Sequence, residues 1–436
     1  MRSSWLTAGA LAMVLVTPTT LGAVSRSPAA PAARPATAAP AAARPAATAA
    51  AAPSTGSSVS ASLDRSAKPA AQPTRDSFTF VVGNVMSAPR QVRGADGRRH
   101  LPYELRLLNI GFFPVALRRV DTLDARTGAV LATRQGAALT ALVKRPEGGD
   151  FTGEIGAGLT AIAVLDVALP PRGRLPRSLV HRLSISYEES QVPPGIVAAT
   201  TYLTGPTRVA RRHAPVIGAP LRGSGWVAVN GCCATRTDHR GGAVPVNGRL
   251  QLPERFAIDF VRIDRNRRLF SGPVGALSSY AYYGADVLSV ADGTVVRAHD
   301  GEPEQTPPNA PPPFDLGTAP GNWVVTDIGH GRFAVYAHLQ RGLKVKVGDR
   351  VRRGQVLGLL GNTGSSTHPH LHFQVMDGPS YADSDGRPYQ FTRFTSVGTV
   401  TDEQRLFTGE PAPVGSQLSG RHARRLPLNL QVVDFG

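Results

Sequence analysis

Short segments in which apolar and polar side chains alternate run through residues 76–190. In the segment LVHRLSISY, which begins at Leu179, the apolar residues Leu183, Ile185 and Tyr187 share one side of an extended chain. Successive side chains of a strand point to opposite faces, so this alternation predicts strands that are buried on one side. Turn-forming Gly, Asp, Asn and Pro separate the segments, as is typical of β-sandwiches. We therefore expect an Ig-like antiparallel β-sandwich over residues 76–190.

A second set of strand-like segments follows a predicted connection at residues 191–217. It spans residues 218–400 and predicts another antiparallel β domain. Within it, the stretch from Gly301 to Gly321 is rich in proline and has no strand pattern. A loop of this length inside a compact domain is often functional, and we expect it to wall a substrate groove. Residues 401–436 are predicted to be a C-terminal extension, so the whole chain is expected to be mainly β.

The N-terminus has the pattern of a secretory signal peptide over residues 1–23. Arg2 provides a positive charge, and an apolar run from Trp5 to Val16 precedes small residues. That run is shorter than the about 20 residues that a transmembrane helix needs. Residues 24–75 are rich in Ala, Pro, Ser and Thr, which predicts a disordered tether. We expect a secreted, extracellular or wall-associated protein whose only membrane contact is the signal peptide.

The net charge changes the picture of possible partners. The 436 residues contain 48 basic and 31 acidic side chains, for a formal net charge of +17. Such a protein favours anionic partners, namely nucleic acid, a membrane surface or an anionic wall polymer. The basic residues are spread along the chain without interleaved aromatic residues, which argues against nucleic acid. We therefore expect an anionic wall polymer as partner, and the sequence does not indicate an oligomeric state.

The chain has only two cysteines, and these are neighbours, Cys232 and Cys233. Adjacent α-carbons lie about 3.8 Å apart, below the usual range for disulfide-bonded residues. The pair is interpreted as two reduced or locally bridged thiols without a catalytic role. The fold is therefore expected to rest on its apolar cores and not on disulfide bonds.

Candidate chemistry concentrates in the segment HPHLHFQV, which begins at His368. In an extended chain His370, His372 and Gln374 share one face, while the apolar residues between them share the other. A single buried histidine is more often a satisfied core residue than a ligand. Two at alternate positions of one strand instead favour a divalent metal, or a general base next to a metal ligand.

Two further candidate residues lie in other segments of the same region, Asp259 in RFAIDF and His338 in VYAHL. Together with the blocks YGADVLSVADGTVV, GNWVVTDIGHGRFAVYAHL and GNTGSSTHPHLHF, they make residues 220–395 resemble the lysostaphin-type zinc endopeptidases of bacterial cell walls. The segment VGDRVRRGQVLG alone is not specific, since lipoyl-carrier domains have similar hairpins. The resemblance implies that Asp259 and His372 are zinc ligands and that His338 and His370 are the catalytic pair.

The sequence departs from this family at one position. The first ligand motif of the family is a His four residues before the Asp, but here that residue is Arg255, which cannot ligate a cation. One hypothesis is that His239, in TDHRGG, supplies the third ligand, with the cysteine pair and His368 as less favoured substitutes. Arg255 and Tyr336 are then candidate substrate-binding residues. The alternative is a degenerate peptidoglycan-binding or amidase-activating domain without bound zinc.

The function that the resemblance implies is hydrolysis of peptide bonds in peptidoglycan by a secreted zinc metalloendopeptidase. Catalytic zinc keeps three protein ligands and an open position for water, whose pKa it lowers. The two imidazoles would then handle the proton and the oxyanion. Other hydrolase and nucleotide-binding motifs, such as HExxH, GxSxG and the P-loop, do not occur in the sequence.

Overall fold

The computed structural model describes residues 76–146, 148–309 and 315–436. The predicted signal peptide and tether, residues 1–75, lie outside this part of the chain. The described residues are mainly β, in sheets that are almost entirely antiparallel, and this confirms the predicted fold class. None of the helices among them has the length and apolar character that crossing a bilayer requires.

The first β region consists of two five-stranded antiparallel sheets. Its strands and helix are β1 (Val81–Val85), β2 (Val92–Arg93), β3 (Arg99–Asn109), β4 (Val115–Asp124), β5 (Val130–Gln135), α1 (Gly136–Thr140), β6 (Val143–Lys144), β7 (Glu154–Ile155), β8 (Thr160–Leu169), β9 (Ser178–Ser186) and β10 (Thr201–Arg208), with a 3-10 turn at Glu189–Gln191. One sheet has the order β1-β3-β8-β6 with β2 beside β3. The other has the order β10-β9-β4-β5 with β7 beside β4.

The two sheets pack around one apolar core. Tyr103 and Leu105 from β3 meet Val120 from β4 and Leu183 from β9, and all four side chains are buried. The region is therefore a β-sandwich, held together by the apolar faces that the alternating pattern predicted. Strand β10 falls within the predicted connection at residues 191–217, but it pairs with β9 and completes the second sheet. We call this region the sandwich.

The second β region is built on a twelve-stranded sheet and two smaller pairs of strands. Its elements are β11 (Val216–Ile217), β12 (Gly223–Val229), α2 (Asp238–Gly241), β13 (Val244–Val246), β14 (Arg249–Gln251), β15 (Ile258–Arg262), β16 (Asp286–Leu288), β17 (Gly293–His299), β18 (Asn322–Asp327), β19 (Phe333–Leu339), β20 (Arg350–Val351), β21 (Val356–Leu359), β22 (Leu371–Met376), β23 (Gln390–Val400), α3 (Glu403–Leu406), β24 (Val414–Gly415), β25 (Gly420–Arg425) and β26 (Gln431–Phe435), with a 3-10 turn at Leu277–Ser279. The main path of the large sheet is β11-β23-β26-β12-β15-β22-β19-β18-β17-β20, and only β11 and β23 pair in parallel.

The C-terminal residues are part of this large sheet. Strand β26 lies between β12 and β23, and Phe435 at its end is buried in the core of the second region. Residues 401–436 are predicted to be an extension, whereas the structure places β26 in the same sheet as the strands of the candidate site, with β12 between β26 and β15. The strand QVVDF is short and has no clear alternation, so its central position could not be seen from the pattern.

The sandwich and the second region are joined by backbone hydrogen bonds and by packing. The amide of Ala95 donates to the carbonyl of Leu426 at 3.0 Å, and the amide of Leu426 donates to the carbonyl of Arg93 at 2.8 Å. Val92 and Ala95, which lie at the edge of the sandwich, are buried in the core of the second region. The boundary between the two regions is therefore a packed surface and not an open linker.

Candidate metal centre and active site

The register of three strands brings the predicted site residues together. Strand β15 pairs with β22 so that Asp259 lies directly opposite His372. Strand β19 pairs with the other edge of β22, and there Ala337 lies opposite His372. His338, the next residue of β19, is therefore close to His372. His370 lies just before β22 begins, on the same face as His372. Four residues from three segments thus converge at one place in the sheet.

The short helix α2 adds a third ligand-type residue. His239 is its second residue, and Nε2 of His239 lies 3.2 Å from Oδ2 of Asp259. Nδ1 of His372 lies 3.0 Å from Oδ1 of the same carboxylate. One ligand-type atom from each of His239, Asp259 and His372 lies within 4.8 Å of the others. We call these three residues the His-Asp-His cluster.

Two side-chain amides orient this cluster. Oε1 of Gln374 lies 3.0 Å from Nε2 of His372 and holds the ring so that Nδ1 faces Asp259. Nδ2 of Asn230 donates to Oδ2 of Asp259 at 2.9 Å. Partners of this kind fix the tautomer and orientation of metal ligands. The sequence analysis placed Gln374 on the face of His372 but gave it no role. It missed Asn230, which has no local signal because it lies 29 residues from Asp259.

His338 and His370 are held through one ring nitrogen each. Nδ1 of His338 lies 2.7 Å from the carbonyl oxygen of Thr363, and Nδ1 of His370 lies 2.8 Å from that of His368. A carbonyl only accepts, so Nδ1 carries the proton in both rings and Nε2 is the basic nitrogen. The ring centroids are 4.5 Å apart. Nε2 of His370 lies 3.5 Å from Oδ1 of Asp259, which places it beside the His-Asp-His cluster.

The backbone of His338 has φ +61°, in the left-handed region that residues other than glycine seldom occupy. It is fixed by two backbone hydrogen bonds, from its amide to the carbonyl of Pro320 at 2.9 Å and to its carbonyl from the amide of Gly361 at 3.1 Å. Unfavourable backbone conformations of this kind cluster at functional sites, where the surrounding structure imposes them. The conformation aims the ring of His338 at that of His370.

The charges of the site are strongly coupled. Burial by itself opposes ionisation of Asp259, but the positive charge of His239 and the hydrogen bonds from the neighbouring imidazoles hold its pKa well below the usual value. Burial also lowers the pKa of His239, yet the carboxylate of Asp259 outweighs this and raises it to about 9. Burial lowers the pKa of both His338 and His370, and the repulsion between the imidazoles adds to the effect in His338. At neutral pH these two rings are therefore neutral bases.

Neither candidate substrate-binding residue reaches the site. Arg255 is only 2% exposed, and its guanidinium pairs with the carboxylate of Glu104 in the sandwich, with Nε to Oε1 at 3.0 Å. Tyr336 is fully buried, and its hydroxyl accepts the amide of Val290 at 2.9 Å. Both side chains point into the protein interior, so we do not propose a contact with substrate for either of them.

The substitutes considered for the third ligand lie apart from the cluster. The ring of His368 packs against Phe407, with centroids 5.3 Å apart, and only its backbone carbonyl takes part in the site. Cys232 and Cys233 are joined in a buried disulfide, so they offer no thiolate. Among the described residues, His239 is the one that completes a group of three around Asp259 and His372.

A cavity of about 530 Å³ lies near the site and is lined in part by Pro320, Trp323 and Tyr381. The ring of Tyr381 is 6.0 Å from that of His372, centroid to centroid, and the carbonyl of Pro320 binds the amide of His338. The Pro-rich segment predicted to wall a groove contributes Leu316, Gly317 and Pro320 to this lining. Its residues 310–314 lie outside the described part of the chain.

Comparison with known proteins fits this geometry. Residues 276–384 match the model of peptidase family M23. This stretch is an M23 peptidase domain. It contains His338, His370 and His372, while His239 and Asp259 lie ahead of the matched residues. The lysostaphin-type resemblance is thereby confirmed at the level of the domain.

The relatives of the M23 domain include named endopeptidases. Peptidoglycan DD-endopeptidase ShyC of Vibrio cholerae is 35% identical over 144 residues, which cover 32% of this chain and 30% of ShyC. Glycyl-glycine endopeptidase ALE-1 of Staphylococcus capitis is 44% identical over 64 residues, which cover 15% of this chain and 17% of ALE-1. The chain thus spans less than a third of the length of these relatives.

A solved structure also aligns with the chain. It is the catalytic domain of the antimicrobial peptidase lysostaphin from Staphylococcus simulans. The alignment covers 33% of this chain and 80% of the solved chain at 26% identity, with a TM-score of 0.20.

Proposed function

We propose that this protein is a secreted, zinc-dependent endopeptidase that hydrolyses peptide bonds of peptidoglycan. The observation that carries the proposal is the His-Asp-His cluster with the Nε2 atoms of two neutral imidazoles beside it. The M23 domain and the similarity to ShyC, a peptidoglycan DD-endopeptidase, and to ALE-1, a glycyl-glycine endopeptidase, support the same chemistry.

The residues of the cluster fit a catalytic zinc ion. Two imidazole nitrogens and one carboxylate oxygen are three ligands of the kinds that zinc prefers, and catalytic sites keep the fourth position open. His239 takes the place that the family pattern gives to the histidine four residues before the aspartate, where this chain has Arg255. When bound, zinc would lower the pKa of a water molecule and polarise the carbonyl of the scissile bond.

The two remaining imidazoles then supply proton transfer. Each carries its proton on Nδ1, which a backbone carbonyl holds, and presents a lone pair on Nε2. His370 lies closer to the cluster and is the better placed to accept a proton from the attacking water. A ring that has taken up the proton can donate it to the oxyanion or to the leaving amine. His338, 4.5 Å from His370 between ring centroids, is placed to share this role.

The surroundings of the site are consistent with a wall substrate. The cavity lined by Trp323 and Tyr381 lies near the site, since the ring of Tyr381 is 6.0 Å from that of His372, and it would receive part of an extended peptide. The net charge of +17 would hold the protein near anionic wall polymers through interactions that weaken as salt increases. A wall substrate would be met outside the cell, where the predicted signal peptide would direct the protein.

The test is to measure zinc per chain and lysis of purified wall for the full-length protein and two variants. His372→Ala removes a zinc ligand and is expected to abolish both bound zinc and lysis while the fold, followed by circular dichroism, is kept. His213→Ala, at an exposed histidine, is the matched control and is expected to change neither. A chelator should stop lysis by the unmodified chain.

Two results would contradict the proposal. One is a folded His372→Ala protein that lyses wall as fast as the unmodified chain. The other is an unmodified chain that binds no zinc in the presence of excess metal. If such a chain still bound wall, the non-catalytic alternative would be the better description.

A further inference from the structure

Glu104 of the sandwich is buried although it lies on the outer face of its sheet. Its neighbours in β3, Tyr103 and Leu105, point into the core of the sandwich, so the side chain of Glu104 points away from it. A carboxylate on the outer face of a sheet would ordinarily meet water, yet Glu104 is 0% exposed. The second region covers it and provides Arg255 as its partner.

A second arginine of the second region contacts the neighbouring strand of the same sheet. Nη2 of Arg240 donates to the carbonyl oxygen of Leu165 in β8 at 2.9 Å. In the register of β3 and β8, Glu104 lies opposite Val164, so the two arginines bind adjacent positions of the sandwich. Arg240 is 1% exposed and Arg255 is 2% exposed. An interface that served only as a spacer would more often be polar and hydrated.

These two arginines lie on the segments that hold the metal ligands. Arg240 follows His239 within the four-residue helix α2, and it also donates to the carbonyl of Cys233 in the preceding loop. Arg255 is four residues before Asp259, at the entry to β15. The helix α2 has too few residues to be stable by itself, so its position depends on contacts such as that of Arg240 with the sandwich.

We propose that the sandwich is a structural part of the metal site, and that Glu104 is a positioning residue that acts through Arg255 on the ligand Asp259, while the contact of Arg240 with Leu165 acts on the ligand His239. Metal sites need ligands held within about 0.5 Å of the productive geometry. The sandwich supplies this restraint through two buried contacts. The ion pair of Glu104 and Arg255 holds the segment of Asp259, and the hydrogen bond from Arg240 to Leu165 holds the segment of His239. This inference rests on the proposed zinc function and adds that the ligand geometry depends on a second domain.

The experiment compares Glu104→Gln with Asp121→Asn in the full-length protein. Asp121 is an equally buried carboxylate of the sandwich that pairs with two arginines, Arg119 and Arg182, but it lies on the other sheet and contacts neither ligand segment. Both changes remove one buried negative charge and keep the side-chain shape. Any general loss of stability in the sandwich should therefore appear in both variants.

The readouts are the zinc dissociation constant, from competition with a chelator, and the visible absorption spectrum of the cobalt-substituted protein. Glu104→Gln is expected to weaken zinc binding about 10- to 100-fold, the range found for residues that orient metal ligands, and to alter the cobalt spectrum. Asp121→Asn is expected to leave both unchanged. If Glu104→Gln fails to fold, Arg240→Lys tests the second contact, because lysine keeps the charge but loses the fork that spans Cys233 and Leu165.

The outcomes separate this inference from the proposed function. An unmodified chain that takes up no zinc contradicts the proposed function itself. A second outcome is that the unmodified chain binds zinc while a folded Glu104→Gln variant shows the same zinc affinity and the same cobalt spectrum. That result overturns only the proposed role of the sandwich. Equal loss of affinity in Glu104→Gln and Asp121→Asn would overturn it as well, because the effect would then come from general destabilisation.

Discussion

The sandwich and the second region both bury histidines, but they hold them in different ways. In the sandwich both ring nitrogens of each buried histidine have partners. His100 lies between two aspartates, 2.7 Å from Asp166 and 3.1 Å from Asp96. His181 lies between the hydroxyl of Tyr103 at 2.8 Å and a backbone carbonyl at 3.0 Å. No ring nitrogen is left for a ligand, so these are structural residues.

In the second region the two rings beside the His-Asp-His cluster are hydrogen-bonded differently. Nδ1 of His338 and of His370 donates to a backbone carbonyl, and among the described residues Nε2 of His338 has no hydrogen-bond partner. Burial alone therefore does not separate these two rings from those of His100 and His181. The free Nε2 does, because a ring with a free nitrogen can still exchange a proton or bind a metal.

The largest expected effect comes from removing one free imidazole. His338→Asn is suited to this because asparagine tolerates the positive φ of that position. We expect wall lysis to slow by about 10²- to 10⁴-fold, as for the loss of a general acid–base group, while bound zinc is kept. The matched control is His330→Asn, since His330 is exposed in a turn and has a similar φ of +58°. Lysis within a few-fold of normal in a folded His338→Asn chain would mean that His338 is structural like His181.

Part of this architecture could be predicted from the sequence because it is local. The alternating segments from Phe333 to Leu339 and from Leu371 to Met376 coincide with β19 and β22. Strand periodicity also placed His370, His372 and Gln374 on one face. The convergence of His338 and Asp259 on that face came from the family resemblance, and the strand register agrees with it. The roles of these residues in zinc binding and catalysis stay predictions.

The remainder depends on contacts between distant segments. Glu104 and Arg255 are 151 residues apart, and no local pattern marks either of them as a partner for the other. Arg255 was interpreted as facing substrate because an unpaired arginine in a sequence is normally exposed. His100 and His181 likewise have partners on distant segments, Asp166 and Tyr103, which no local pattern marks. Burial between two domains is a property of the assembled fold, which periodicity does not encode.

A smaller effect, on stability alone, is expected when a fully satisfied histidine is removed. His181→Ala leaves a cavity in the sandwich and takes away an acceptor from the hydroxyl of Tyr103, which keeps its contact with Thr122 at 2.8 Å. The free energy of unfolding should fall by about 3 kcal/mol, measured by urea denaturation. Zinc per chain and the rate of lysis per folded molecule should stay unchanged. A folded His181→Ala variant that had lost its zinc would contradict the view that His181 is purely structural and independent of the candidate site.

A last effect is a dependence of stability on pH that originates in the sandwich and leaves zinc binding and lysis untouched. Burial lowers the pKa of His100, but the hydrogen bonds and charges of Asp166 and Asp96 outweigh it and raise the pKa to about 9. In the unfolded chain the value is about 6.5. Between pH about 6.5 and 9 the folded chain therefore keeps a proton on His100 that the unfolded chain has released. Each pKa unit of this difference stabilises the folded state by about 1.4 kcal/mol. The stabilisation is complete below pH about 6.5 and is lost as the pH rises toward 9.

The measurement is the free energy of unfolding of the unmodified chain and of His100→Gln at several pH values between 6.5 and 9, with zinc removed. Glutamine keeps hydrogen bonds to the two aspartates but does not titrate, so the unmodified chain should lose stability more steeply than the variant across this window. His239, whose pKa is also about 9 without metal, titrates in both proteins and cancels in the difference. Parallel curves would show that His100 is neutral in the folded chain. His100 would then differ from His338 and His370 in the number of its hydrogen-bonded ring nitrogens and not in charge.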